Sequence, residues 1–178
     1  SLKIAAQCEH SFMRAVDVVI PVRDDWTGLQ RCLSALECQS LDVSEWGIIV
    51  VDNGSTVPMP PSIQLPQNAQ MIRETKKGSY AARNAGIRLS EAPILAFTDA
   101  DCLPDSDWLR LGIEALRESR CRIGGKIVVQ AVNSPVTYAE LYDLFCGFQQ
   151  EKYVRRGVAA TANLIVWKSL FEEIGLFN

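Results

Sequence analysis

The chain has 178 residues, 48% of them hydrophobic and 22% charged, which suits one globular domain with a sizeable core and excludes a disordered tract. A net charge of −3 and a pI near 5.2 exclude the basic field of a general nucleic-acid binder. No apolar run approaches membrane-spanning length, and the opening residues carry charges with no signal-peptide core.

Residues 1–14 are mixed in character and read as a leader, with one domain over 15–178. Ala15 to Pro21, AVDVVIP, is a β-branched run closed by proline and predicts a fully buried strand. Asp24, Asp25 or Thr27 can cap the helix that follows, whose apolar face is Leu29, Cys32, Leu33 and Leu36. A second strand, Gly47 to Asp52, ends in the turn cluster NGST. Val57 to Asn68 carries four prolines and predicts an irregular excursion. A short strand over Ala69 to Arg73 leads through Lys76-Lys77-Gly78 to a helix from Ser79 to Leu89. Ile94 to Thr98 reads as a fourth strand, and Asp105 to Arg120 as a third helix.

Further on, Arg122 to Gln130 reads as a strand and Pro135 to Gln150 as a helix. In that helix Tyr138, Leu141, Tyr142 and Phe145 fall at helical spacing, as core or substrate-side packing. Ala159 to Trp167 reads as a strand and Lys168 to Ile174 as a short helix. The alternation β-α-β-β-α-β-α predicts a largely parallel sheet covered on both faces, with ligands outside the carboxyl ends of its strands. Polar clusters gather at those ends: Pro21 to Asp25, Asp52 to Ser55 and Asp99 to Asp101.

The segment ILAFTDADCLPDSDW delivers Asp99 and Asp101 to the end of a buried strand. Two like charges so close call for a positive partner, and a divalent cation with a phosphate supplies one. The bland reading is that both aspartates cap the helix ahead. Cysteines 8, 32, 38, 102, 121 and 146 form no C-x-x-C, which disfavours a zinc ribbon and predicts reduced, mostly buried thiols. His10 is the only histidine and sits in the leader, which argues against Ser-His-Asp chemistry.

Five segments in order resemble the family 2 glycosyltransferases of GT-A fold. VDVVIPVRDDWTGLQRCLSAL is similar to their opening strand and helix, IIVVDNGST to the nucleotide-binding turn, and KKGSYAARNAGI to the diphosphate-side loop and helix. ILAFTDADCLPDSDWL resembles their D-x-D segment, and ATANLIVWKSLFEEIGLF their acceptor-side segment ending in Gly-x-Phe. The resemblance implies a Rossmann-like three-layer α/β/α sandwich with a mostly parallel mixed sheet. It also implies a transferase that moves a sugar from a nucleotide-diphosphate donor to an acceptor hydroxyl, with inversion.

By that resemblance Asp101 is a metal ligand, and Asp99 lies near the ribose and the metal, which is Mg²⁺ or Mn²⁺. Asp52 accepts a hydrogen bond from the base, and Pro21 and Val22 wall it. Lys77, Gly78 and Arg83 border the diphosphate. Asn163 either contacts the sugar or satisfies buried backbone. Against each stands a plainer reading: Asp52 as a turn starter, Arg83 as a solvated helix face, Lys76-Lys77 as an exposed pair.

The resemblance implies a glycan, lipid-linked or cell-wall acceptor, no nucleic acid, and a cytoplasmic place that allows contact with the inner membrane face. The family's general base follows the Gly-x-Phe segment, so the domain reads as truncated before that motif, and the catalytic base is expected beyond Asn178. Glu172 and Glu173 precede it and read as a helix face. Two other classes compete. A nucleotide-binding module without turnover is one. The other is a phosphatase-like hydrolase of the haloacid-dehalogenase type, although Leu103 stands where that motif has Thr or Val. The first strand leads into no glycine-rich loop of a nicotinamide-binding domain or a pyrophosphorylase.

Overall fold

The computed structural model describes residues 14–119, 122–131, 135–147 and 149–178. The leader, His10, Cys8, Cys121 and Arg120 lie outside the described residues, apart from Arg14. A six-stranded sheet runs in the order β3-β2-β1-β4-β6-β5. Its strands are β1 (Val16–Val22), β2 (Trp46–Asp52), β3 (Ala69–Arg73), β4 (Ile94–Phe97), β5 (Arg122–Gly124) and β6 (Leu164–Trp167). The helices are α1 (Trp26–Leu36), α2 (Ser79–Leu89), α3 (Trp108–Ser119), α4 (Tyr138–Cys146), α5 (Gln150–Arg155) and α6 (Leu170–Ile174).

β1 lies between β2 and β4 and is parallel to both, and β3 is parallel to β2. β6 is antiparallel to β4 and to β5, so the sheet is mixed, mostly parallel, as the resemblance implies. All seven residues of β1 are buried, which requires cover on both faces. The pleat divides that cover. Val16, Val18, Ile20 and Val22 face α1 and α3, meeting Leu29, Leu33, Leu36, Leu109, Ile113 and Leu116. Val19 faces the other way, with Ile49, Val51, Leu95 and Phe97, under Ala82 and Ile87 of α2 and the aromatic pair Phe171 and Phe177. Three layers result.

Asp25 caps α1, accepting from the Gly28 N–H at 2.9 Å. Asp17 is the charged exception inside β1. Its carboxylate accepts the Ser90 hydroxyl at 2.6 Å, and the Ser90 carbonyl accepts the Lys168 ammonium. These bonds tie β1 to the segments on either side of β4 and β6, at the sheet end opposite the polar clusters.

Five expectations need correction. The strand foreseen over Arg122 to Gln130 ends at Gly124, because a 3₁₀ turn at Thr161–Asn163 precedes β6 and leaves no strand to pair with. The strand foreseen from Ala159 accordingly starts at Leu164. The single helix foreseen over Pro135 to Gln150 is two, α4 and α5. Its aromatic stripe is not core: Tyr138 is 93% and Phe145 78% exposed, and neither packed face of the sheet includes Leu141 or Tyr142. Finally, the thiols are less buried than foreseen, since Cys38 is exposed and Cys102 half-buried while Cys32 is buried. Burial pushes the Cys32 thiol up to about 12, so it stays protonated.

Gly86 shows how tightly α2 sits on β1. A Cβ there would lie 2.4 Å from Val19 Cγ1 and 3.1 Å from its Cγ2. Valine in a central strand has little rotamer freedom to yield. Gly86→Ala is expected to cost about 1–3 kcal/mol of overpacking, despite alanine's better helix propensity. The urea unfolding midpoint measures it; a midpoint at or above wild type refutes the close contact.

Candidate functional site

The strand order reverses beside β1: β2 and β3 lie on one side, β4 on the other. Such a reversal opens a crevice at the carboxyl ends of the strands. The residues emerging there are Val22 from β1, Asp52 from β2, Arg73 from β3 and Thr98 to Asp101 from β4. Because α3 begins only at Trp108, neither Asp99 nor Asp101 is its cap. The helix starts late because Asp105 takes up a turn of its own, accepting the Asp107 N–H at 3.0 Å. The capping reading of the paired aspartates therefore fails.

On the β2 side, Val22 and Asp52 are register partners, and the Val22 carbonyl accepts the Asn53 N–H at 2.8 Å. Pro21 and Val22 are buried. Asp52 is 7% exposed; its Oδ1 accepts the Ser55 N–H at 2.8 Å, the turn geometry foreseen, and its Oδ2 lies 3.7 Å from the Arg73 guanidinium. Arg73 is largely exposed, so this ion pair adds little to stability. The turn and the functional reading share one residue.

Asn53 does what the sequence reading missed. Its amide donates to the Lys76 carbonyl at 2.8 Å and accepts from the Gly78 N–H at 2.9 Å, pinning the loop before α2 onto the end of β2. Gly78 holds φ +117°, a left-handed conformation that side chains resist, and it opens α2 directly. Lys77 is exposed on that loop. The Asn-Gly pair after a strand was the available signal, but it reads as a turn from sequence alone.

The bonding role of Asp24 was also missed, since the sequence offered it as a helix cap and as part of the polar cluster after β1. It sits at φ +57°, where aspartate is tolerated. Its Oδ1 accepts the Thr56 N–H at 2.6 Å, the Thr56 hydroxyl at 2.9 Å and the Val57 N–H at 3.2 Å. The Ser55 hydroxyl accepts the Asp24 N–H at 2.9 Å, and the Trp26 indole donates to the Val57 carbonyl at 2.9 Å. The β1–α1 and β2–β3 connections thus form one clasped rim.

On the β4 side, Arg83 of α2 is 7% exposed, not a solvated face, and its guanidinium pairs with Asp99 Oδ1. Arg83 Nε is buried with no partner among the described residues. Asp101 is exposed, with the Cys102 thiol 3.8 Å from its Oδ1. Burial holds that thiol above its ordinary value, so it stays a protonated, soft group unsuited to a hard cation.

Among the described residues no three His, Cys, Asp or Glu side chains cluster for a metal. The donor set on offer is two carboxylates, one already bonded to Arg83. That fits a cation which takes one or two protein carboxylates and completes its shell with phosphates and water, as Mg²⁺ does.

Asn163 stands apart from this group. Its Oδ1 accepts the Trp108 indole N–H at 2.8 Å and its amide donates to the Lys126 carbonyl at 2.9 Å. Both ends of the side chain are engaged in scaffolding, which favours the backbone-satisfying reading. Glu172 and Glu173 are exposed on α6, and Asn178 is exposed after Phe177. The general base expected beyond Asn178 lies outside the described residues.

Comparison with known proteins identifies the family and the fold. The chain belongs to glycosyl transferase family 2, whose family model matches residues 17–175. It is 35% identical to Glycosyltransferase AglE of Haloferax volcanii over 168 residues, 91% of this chain and 55% of that one. It is 33% identical to the pre-mycofactocin glycosyltransferase of Mycobacterium tuberculosis over 99 residues, 54% of this chain and 20% of that protein. The fold is that of the mannosyltransferase PcManGT from Pyrobaculum calidifontis, solved with GDP-Man and Mn²⁺. The TM-score is 0.68 at 19% identity, covering 94% of this chain and 48% of that one. TarS 1-349 of S. aureus, solved with UDP, gives the same TM-score at 16% identity over 89% of this chain and 48% of its own. The chain therefore has the GT-A fold and spans about half the length of the first of these relatives. No helix among the described residues is long and apolar enough to cross a membrane.

The clasp at Asp24 has a pH signature. Its N–H and hydroxyl donors, the Thr56 N–H foremost, hold the carboxyl below its ordinary value of 3.8. A depressed value stabilises the fold above 3.8 and loses that effect as the pH falls through the folded-state value. Asp24→Asn keeps a residue tolerated at positive φ while removing the charge. It is expected to lower the Tm at neutral pH, with the deficit narrowing only in acid below 3.8. Calorimetry across pH checks this; a deficit that does not change with pH refutes it.

Proposed function

We propose that residues 15–178 form the donor-binding domain of a glycosyltransferase. It takes a nucleotide-diphosphate sugar together with Mg²⁺ or Mn²⁺ and presents the sugar to an acceptor hydroxyl, with inversion. The observation that carries this reading is the delivery of Asp99 and Asp101 to the crevice beside β1, with the Arg83 guanidinium paired to one of them. The complexes of PcManGT with GDP-Man and Mn²⁺ and of TarS with UDP-GlcNAc support it.

On this reading Asp52 receives the base against the wall of Pro21 and Val22. Asp99, steadied by Arg83, meets the ribose. Gly78 lets the backbone approach the diphosphate, with Lys77 and Arg83 supplying positive charge. Asp101, with Asp99, would hold the cation, which when bound acts as a Lewis acid on the departing diphosphate. Asn163, engaged by Trp108 and Lys126, is left to scaffolding rather than to the sugar. The acceptor is a glycan, lipid-linked or cell-wall hydroxyl, and no residue up to Asn178 is assigned as its general base. The acidic net charge fits a partner other than nucleic acid, and the free thiols Cys32, Cys38 and Cys102 fit a reducing, cytoplasmic place at or near the inner membrane face.

Titration calorimetry with GDP and UDP, with and without Mn²⁺, tests the proposal. Asp101→Ala is expected to remove the metal-dependent part of the affinity, at least about tenfold or ~1.4 kcal/mol. Equal affinities for variant and wild type in the presence of Mn²⁺ would sink the metal assignment. Asp52→Ala is expected to weaken nucleotide binding about tenfold with the circular dichroism spectrum unchanged, since Asp52 closes a turn at a strand end and fills no core position. A variant that binds as tightly as wild type shows that Asp52 serves the turn alone. Donor hydrolysis or transfer by the same protein separates an enzyme from a nucleotide-binding module.

A further inference from the structure

Next to Arg83 in α2 stands Asn84, 7% exposed, whose side chain reaches across to the segment after α6. Its Nδ2 donates to the Phe177 carbonyl at 2.8 Å, and its Oδ1 accepts the Phe177 N–H at 3.0 Å. One amide thus satisfies both backbone groups of a single distant residue, as a neighbouring strand would. The Phe177 ring is held as well, edge-on to Phe97 at 5.5 Å and to Phe171 at 5.2 Å between centroids. Phe97 is the last residue of β4, directly before Thr98 to Asp101.

Two successive residues of α2 therefore hold two different things: Arg83 holds Asp99 in the crevice, and Asn84 holds Phe177. We propose that Asn84 is a positioning residue, a clasp that sets the segment around Phe177 relative to the donor carboxylates and couples its order to donor occupancy. This rests on the donor-binding reading above. A ligand that engages Arg83 and Asp99 restrains α2, and the next side chain along the helix passes that restraint to the Phe177 backbone. Coupling of this kind needs no change of shape and shows as amide protection. Leu or Ala at position 84 would leave α2 intact yet make no paired donor and acceptor.

The Phe177 amide reports the clasp directly, because its N–H is one of the two bonds. Hydrogen exchange is followed by NMR in wild type, Asn84→Ala and Asn84→Asp, each free and saturated with GDP or UDP plus Mn²⁺. In wild type, nucleotide is expected to slow Phe177 exchange roughly tenfold, the scale of one to two net hydrogen bonds. In Asn84→Ala the free-state exchange is expected to be about tenfold faster, and nucleotide no longer slows it. Asn84→Asp keeps the acceptor and loses the donor, so it falls between.

A Phe177 amide that exchanges in Asn84→Ala as in wild type, or that nucleotide still slows there by the wild-type factor, overturns the proposal. Should Asn84→Ala not fold, Asn84→Leu, near in size and lacking the acceptor, decides by the same comparison. The wild-type nucleotide titration keeps the two readings apart. No binding there overturns the donor site and its coupling together, whereas binding without nucleotide-dependent protection of Phe177 overturns the coupling alone.

Discussion

β1 is buried along its whole length with its backbone bonded on both sides, and this one constraint orders the molecule. A strand with no wet face needs a layer of helices above and another below, and parallel neighbours on each side supply the helices through their crossovers. The α1/α3 layer and the α2/α6 layer answer that need, one for each side of the pleat. Polar side chains then have few places left except the strand ends. The crevice chemistry is a consequence of where polarity is tolerated, since Asp52, Asn53, Ser55 and Thr98 are buried only at those ends, each beside a backbone that has run out of ladder partners.

Those unpartnered backbone groups explain why the rim is ordered. Asp24 takes the N–H groups of Thr56 and Val57, Asp52 takes that of Ser55, and Asn53 takes that of Gly78. Each is a short side chain bonding to backbone far away or just ahead, the chemistry that turns use. The same residues that could contact a nucleotide are therefore committed in part to holding their own loops. Asp52 illustrates the division, with one oxygen for the turn and the other toward Arg73.

How much of this the sequence discloses follows from the range of the interactions. The buried strands β1, β2 and β4, the apolar stripes of α1 and α3, and the aspartates after β4 are all carried by local patterns, and all were legible. The sheet beyond β6 was not. Arg122 to Gln130 has strand composition, but a strand needs a partner of equal length, and β6 offers only four residues. The stripe of α4 has helical spacing, and spacing says which side chains share a face without saying that anything covers it. Asn53, Asp24 and Asn84 act over separations of 25, 32 and 93 residues, which no periodicity encodes.

The pairing of Arg83 with Asp99 bears on how two carboxylates one residue apart coexist before any cation arrives. Left alone they would repel. The Arg83 guanidinium, always charged, sits against Asp99 and offsets that repulsion. Asp101 is exposed, with the Cys102 thiol beside its carboxylate. The two carboxylates are thus unequal: one is paired with a buried guanidinium, while the other is exposed. On the proposed reading a divalent cation with a phosphate would add charge of both signs at once, held by Asp101 and by Arg83. Neither the ion pair nor the exposed carboxylate has to be broken for that to happen. An arrangement that keeps its fixed charges in place during binding loses little to reorganisation, which is the condition under which electrostatic contacts contribute most.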